Sequence, residues 1–158
     1  MRTPRHLLLL IAGLLVGCGV PAANAPLPYD ESADPDVELR EGLADAQREH
    51  KDVLIVFGAN WCADCRDLDR AMHGSSAPLI DARFVVVKVD VGNFDRHLNI
   101  ARRYGNPIAK GIPAAVVVTG TDQLLYATRA GELADARRMG ERGIYDFFSG
   151  VVDSKLGP

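Results

Sequence analysis

Two of the chain's three cysteines fall within "FGANWCADCR", residues 57 to 66, as Cys62 and Cys65 directly after Trp61. A thiol pair at this spacing has three chemical uses: a redox couple, half of a metal site, or a covalent staple. The staple explains little, because a bridge across so short a loop barely restricts the unfolded chain. A structural zinc site needs about four ligands. Here no second pair of this kind follows, and His50, His73 and His97 are scattered. Two thiols alone suit a soft ion such as copper(I), so a copper-handling or binding module stands beside thiol–disulfide exchange as a reading of these residues.

The elements around the pair are legible from patterning. Val37, Leu39, Leu43, Ala44 and Ala46 recur on one helical face up to about His50, with Gly42 as a weak point. "VLIVF", Val53 to Phe57, is a continuous apolar run of strand length, as expected of a strand covered on both faces. The cysteines follow at once, so they open a helix at the carboxyl end of that strand. Leu68 and Met72 extend its apolar stripe from Cys65, and His73-Gly74 stops it. After a short turn or helix over Ser75 to Arg83, "FVVVKVD", Phe84 to Asp90, is a second buried strand. Phe94, Leu98, Ala101 and Tyr104 predict a crossover helix over residues 94–104. "AAVVVT", Ala114 to Thr119, and "LLYAT", Leu124 to Thr128, flank the turn "GTDQ" as a hairpin. Residues 132–139 and 141–152 predict a terminal helix broken around Gly140 and Gly143. The order implies an α/β sandwich with two parallel and two antiparallel strands.

With "WCADC" after a buried strand and "GIPA", Gly111 to Ala114, before the hairpin, the chain resembles the thioredoxin-fold oxidoreductases from about Val37 to Val152. The resemblance implies a thioredoxin-like fold with a central mixed four-stranded sheet flanked by helices, and thiol–disulfide oxidoreductase activity. It needs no cofactor beyond the redox-active disulfide and no metal. It implies that Cys62, at the helix mouth where free N–H groups and the dipole favour its anion, is the attacking nucleophile. Cys65, one turn on and deeper, is then the resolving thiol. Cys62 is expected to be accessible, Trp61 to pack beside the pair and shield it, and Ile112-Pro113 to be cis, with the Ile112 main chain meeting the substrate. Trp61, Ile112 and Pro113 are therefore the substrate-binding set.

Three features depart from the common pattern of that family. Val56 stands six residues before Cys62, where many thioredoxins have a buried aspartate that moves protons, leaving Asp64 as the nearest candidate in sequence. Ala63 and Asp64 separate the cysteines as modulators. The Asp64 charge opposes thiolate formation, which favours a reducing exchanger, with Arg66 as a partial offset. The loop "RRYGNPIAKGIP" is long and should reshape one wall of the cleft.

The amino terminus sets the compartment. Arg2 and Arg5 precede an apolar run from Leu7 to Gly17, too short for a comfortable membrane span, so residues 1–17 read as a signal peptide. "LVGC", Leu15 to Cys18, resembles a bacterial lipobox, with Cys18 the lipidated residue. Cleavage after "ANA", Ala23 to Ala25, competes, but Pro26 would sit just past the cut. Gly19, rather than an aspartate, favours the outer membrane. Residues 18–36 are then a proline-rich tether, 37–152 the domain and 153–158 a tail. A formal charge of −3 with interspersed signs leaves no footprint for nucleic acid. The partners expected are disulfide-containing envelope proteins, the membrane through the lipid, and a membrane electron-donating protein if the enzyme is reducing. The protein is thus expected to be exported, periplasm-facing and lipid-anchored.

Overall fold

The computed structural model describes residues 26–155; the signal segment, Cys18 and the first part of the tether lie outside them. The chain runs α1 (Pro35–Glu49), β1 (Asp52–Gly58), α2 (Ala63–His73), α3 (Ala77–Arg83), β2 (Phe84–Asp90) and α4 (Leu98–Arg103). A 3-10 turn (Pro107–Lys110) precedes β3 (Ala114–Val118), β4 (Leu124–Ala127) and α5 (Ala136–Lys155).

The strands form one four-stranded sheet in the order β2-β1-β3-β4. β1 pairs in parallel with β2 and antiparallel with β3, and β3 pairs antiparallel with β4. The central strands have the continuous apolar sequence of strands buried on both faces. In β1, Val53 to Phe57 are at most 2% exposed, and all five residues of β3 are buried. Alternation along β1 divides the core. Val53, Ile55 and Phe57 pack on one face with Leu39, Ala46, Val87, Val89 and Cys65. Leu54 and Val56 pack on the other with Leu68, Met72, Ile144 and Phe148 of α2 and α5.

Three expectations are corrected here. The fold begins inside the stretch read as tether: Tyr29 is 4% exposed in the core, and α1 starts at Pro35 rather than Val37. The Asp34 carboxylate accepts from the N–H groups of Asp36 and Val37, and Pro35 has the φ that the first helical turn requires. The crossover helix covers only Leu98–Arg103, because Phe94 (φ 63°) and His97 (φ 51°) take the left-handed conformation and interrupt the helical geometry that their spacing suggested. The terminal helix starts at Ala136 and kinks at Gly140 (φ 63°, ψ 177°), while Gly143 stays helical.

Candidate active site

The end of β1 and the start of α2 present the cysteines. Cys62 is the N-cap of α2, with extended backbone (φ −75°, ψ 114°), and its Sγ accepts the Cys65 N–H at 3.2 Å. The sulfur therefore occupies the place that a serine or aspartate side chain takes at ordinary helix starts. Cys65 lies within the first turn, its Cα 5.2 Å from that of Cys62, and the two are joined as a disulfide. Cys65 is fully buried and Cys62 is 6% exposed. The order of depth is as expected, but Cys62 is far more covered than the open sulfur anticipated. The cover comes from the loop across the cleft, where the Ile112 carbonyl oxygen lies 3.7 Å from Cys62 Sγ.

That loop holds the cis Ile112-Pro113 bond. Pro113 leads directly into β3, so the strand beside β1 carries the proline to the cysteines. The long segment before it folds into the 3-10 turn. Phe94, Leu98, Arg102, Ile108, Ala109 and Gly111 line a cleft of about 430 Å³ between this turn and α4. The insertion thus builds a wall of a cleft that reaches Gly111, the residue before the cis pair.

Trp61 does not shield the pair as expected. It is 56% exposed, its Nε1–H donates to the Gly92 carbonyl at 2.9 Å, and its ring tilts against Phe94 with centroids 6.5 Å apart. The left-handed turn after β2 supplies both partners and holds the indole out over the surface.

Asp64 has a different neighbour from the one sequence proximity suggested. Its carboxylate accepts from the Arg137 N–H at 3.0 Å and pairs with the Arg137 guanidinium at 3.2 Å. Arg66 turns instead to the Asn60 carbonyl at 2.7 Å. Burial pushes the Asp64 carboxyl up, but the backbone, side-chain and charge contributions of Arg137 outweigh it and hold it below the usual carboxylate range. Asp64 is therefore a neutralised anion tying α2 to α5, and an ionised carboxylate with these donors is a poor proton acceptor for Cys65. Ala63 is the first helical residue and adds no polar group. Val56 is 2% exposed on the face toward α2 and α5, with no carboxylate in its place.

Sequence reasoning missed Tyr29, Asn60 and Arg137. Asn60 clamps the amino-terminal segment: its side-chain oxygen accepts the Tyr29 N–H at 3.0 Å, and its amide donates to the Tyr29 carbonyl at 2.9 Å and to Glu31 at 3.0 Å. These contacts span about thirty residues of sequence and have no local signature. Cys18 lies outside the described residues. Among those residues no cluster of three or more His, Cys, Asp or Glu side chains is arranged to hold a metal ion.

A thiol pair at a helix N-cap facing a cis-proline across a groove is the thioredoxin arrangement, and residues 34–120 match the thioredoxin-like family model. The chain belongs to that family and is a thiol–disulfide oxidoreductase. A disulphide isomerase from Xylella fastidiosa Temecula1 superposes with a TM-score of 0.78 at 51% identity, over 80% of this chain and 98% of that one. A thioredoxin from Thermus thermophilus shares the fold, with a TM-score of 0.50 at 24% identity over 72% of this chain and 81% of that one. No curated protein matches.

Proposed function

We propose that the protein exchanges disulfides in exported proteins, with Cys62 attacking the substrate disulfide and Cys65 displacing the resulting mixed disulfide. The observation that carries this reading is the position of Cys62 Sγ, capped by the Cys65 N–H and facing the Ile112 carbonyl beside cis-Pro113. N–H donors at a helix start stabilise a thiolate, and a thiolate is the attacking species. The main chain at Ile112 offers a strand-like edge that binds extended polypeptide without demanding a particular side chain. Trp61 and Phe94 add apolar contact at the rim.

Isomerisation and reduction both start from the dithiol, and the disulphide isomerase relative supports that direction. An acidic residue between the cysteines works the same way, although its pairing with Arg137 weakens the effect. In this reading residues 1–17 export the chain, and Cys18 carries a lipid that anchors it to the outer membrane. The substrates are disulfide-bearing envelope proteins, and a membrane protein delivers electrons. Mass spectrometry of the mature amino terminus tests the anchor: lipid on Cys18 supports it, and a free terminus at Pro26 contradicts it.

For the chemistry, insulin reduction by the wild-type domain should be lost in Cys62→Ser. Equal rates in the two would end the assignment. Cys65→Ser should accumulate mixed disulfides on Cys62, whose partners identify the substrates.

A further inference from the structure

Resolution of a mixed disulfide requires Cys65 to lose its proton in the interior, where burial disfavours the anion. Val56 offers no group to assist, and Asp64 is engaged by Arg137. One polar side chain does reach this region, from the segment ahead of α1. A Cβ placed on Gly58 would collide with the Tyr29 hydroxyl and stand 2.9 Å from Cys65 Sγ. The phenol oxygen and the sulfur thus flank the same point, and the missing side chain at Gly58 leaves the space they share. The Asn60 amide, two residues before Cys62, holds the Tyr29 backbone by both its N–H and its carbonyl. A glycine that makes room, an asparagine that clamps and a buried phenol form a built arrangement around Cys65.

We propose that the Tyr29 hydroxyl donates a hydrogen bond to the Cys65 sulfur once the disulfide opens, and so readies that thiol to resolve mixed disulfides. This rests on Cys62 and Cys65 acting as attacker and resolver. In the step, Cys65 Sγ forms a bond to Cys62 Sγ as the bond from Cys62 Sγ to the substrate sulfur breaks. The Cys65 proton ends on the departing substrate sulfur, and the dithiol's two electrons leave with the substrate. The phenol keeps its own proton throughout and stabilises the thiolate as a donor. Burial, then the charges of Asp69 and Asp90, push the Tyr29 hydroxyl far above the ordinary tyrosine value, so it remains a donor at every working pH. Asp69 is itself paired with Lys88, and Asp90 with Arg96.

The test uses the reduced protein and dithiobis(2-nitrobenzoate) in a stopped-flow instrument. Attack by Cys62 releases one thionitrobenzoate, and resolution by Cys65 releases a second. In Tyr29→Phe the first phase should keep its rate. The second should slow about tenfold at neutral pH, with its pH midpoint about one unit higher, and recover wild-type speed in alkali. Asn60→Ala, which frees the Tyr29 backbone without opening the core, should slow the second phase selectively as well. An unchanged second phase and midpoint in a folded Tyr29→Phe protein would overturn the proposal, as would equal slowing of both phases in either variant. Absence of a second phase in the wild type would instead remove the resolving role of Cys65 itself.

Discussion

At the scale of single residues, what matters is which charges the attacking sulfur experiences. Asp64 lies at the second position of α2, where an anion interacts favourably with the helix dipole but unfavourably with a neighbouring thiolate. Its pairing with Arg137 sets how much of that charge Cys62 feels. Removing the cation in Arg137→Ala should raise the Cys62 thiol pKa and make the potential more negative. Asp64→Asn should do the reverse, by roughly 10–30 mV, less than or about equal to a tenfold change in the exchange equilibrium. Potentials measured against glutathione check both signs. The same pair has a predictable pH dependence. The Asp64 carboxyl is lower in the fold than its ordinary value of 3.8, so the stability it adds is complete above that value and lost as pH falls through the folded pKa. The stability difference between wild type and Asp64→Asn should therefore be level from pH 7 to about 5 and decline only in stronger acid. A decline centred near neutrality would contradict this.

At the scale of elements, close approach explains residues that local propensity marks as defects. Gly42 weakens α1 as an isolated helix, yet a Cβ there would stand 2.6 Å from a methyl of Val87 in the strand beneath it. Gly42→Ala gains up to about 1 kcal/mol in helix propensity, while overpacking a core position costs about 1–3 kcal/mol. The second effect wins, so the substitution should lower the denaturation midpoint; a rise would show that α1 shifts away at little cost. The strands and α2 were legible because their patterns are long and uniform: a five-residue apolar run for β1, and a stripe through Cys65, Leu68 and Met72 for α2. The crossover helix was overextended because Phe94 has helical spacing but a left-handed backbone, which spacing does not encode. The cis bond at Pro113 and the helix-cap position of Cys62 followed from the motif. The coverage of Cys62, the outward Trp61 and the Arg137 partner of Asp64 arise from segments far away in sequence.

At the scale of the whole molecule, the fold includes part of what composition marks as linker. Prolines and acids surround Tyr29, and averaged over the stretch they disguise one aromatic side chain that enters the core. Burying an aromatic residue of this size contributes about 2 kcal/mol. A domain beginning at Asp34 should therefore unfold at lower denaturant than one beginning at Pro26, by roughly that free energy. Equal midpoints would show that Tyr29 adds nothing to the packing. The same segment passes the buried sulfur before α1 begins, so packing of the domain and the chemistry of Cys65 share one stretch of chain. No described helix is long and apolar enough to cross a membrane.

The central claim is an asymmetry between two thiols one helical turn apart, and alkylation of the reduced protein reads it directly. Across a pH series, iodoacetamide should modify Cys62 with a midpoint below the ordinary cysteine value of about 8.5, while Cys65 stays unmodified until the fold is lost. Equal labelling of both cysteines, or a Cys62 midpoint at or above the ordinary value, would contradict the account.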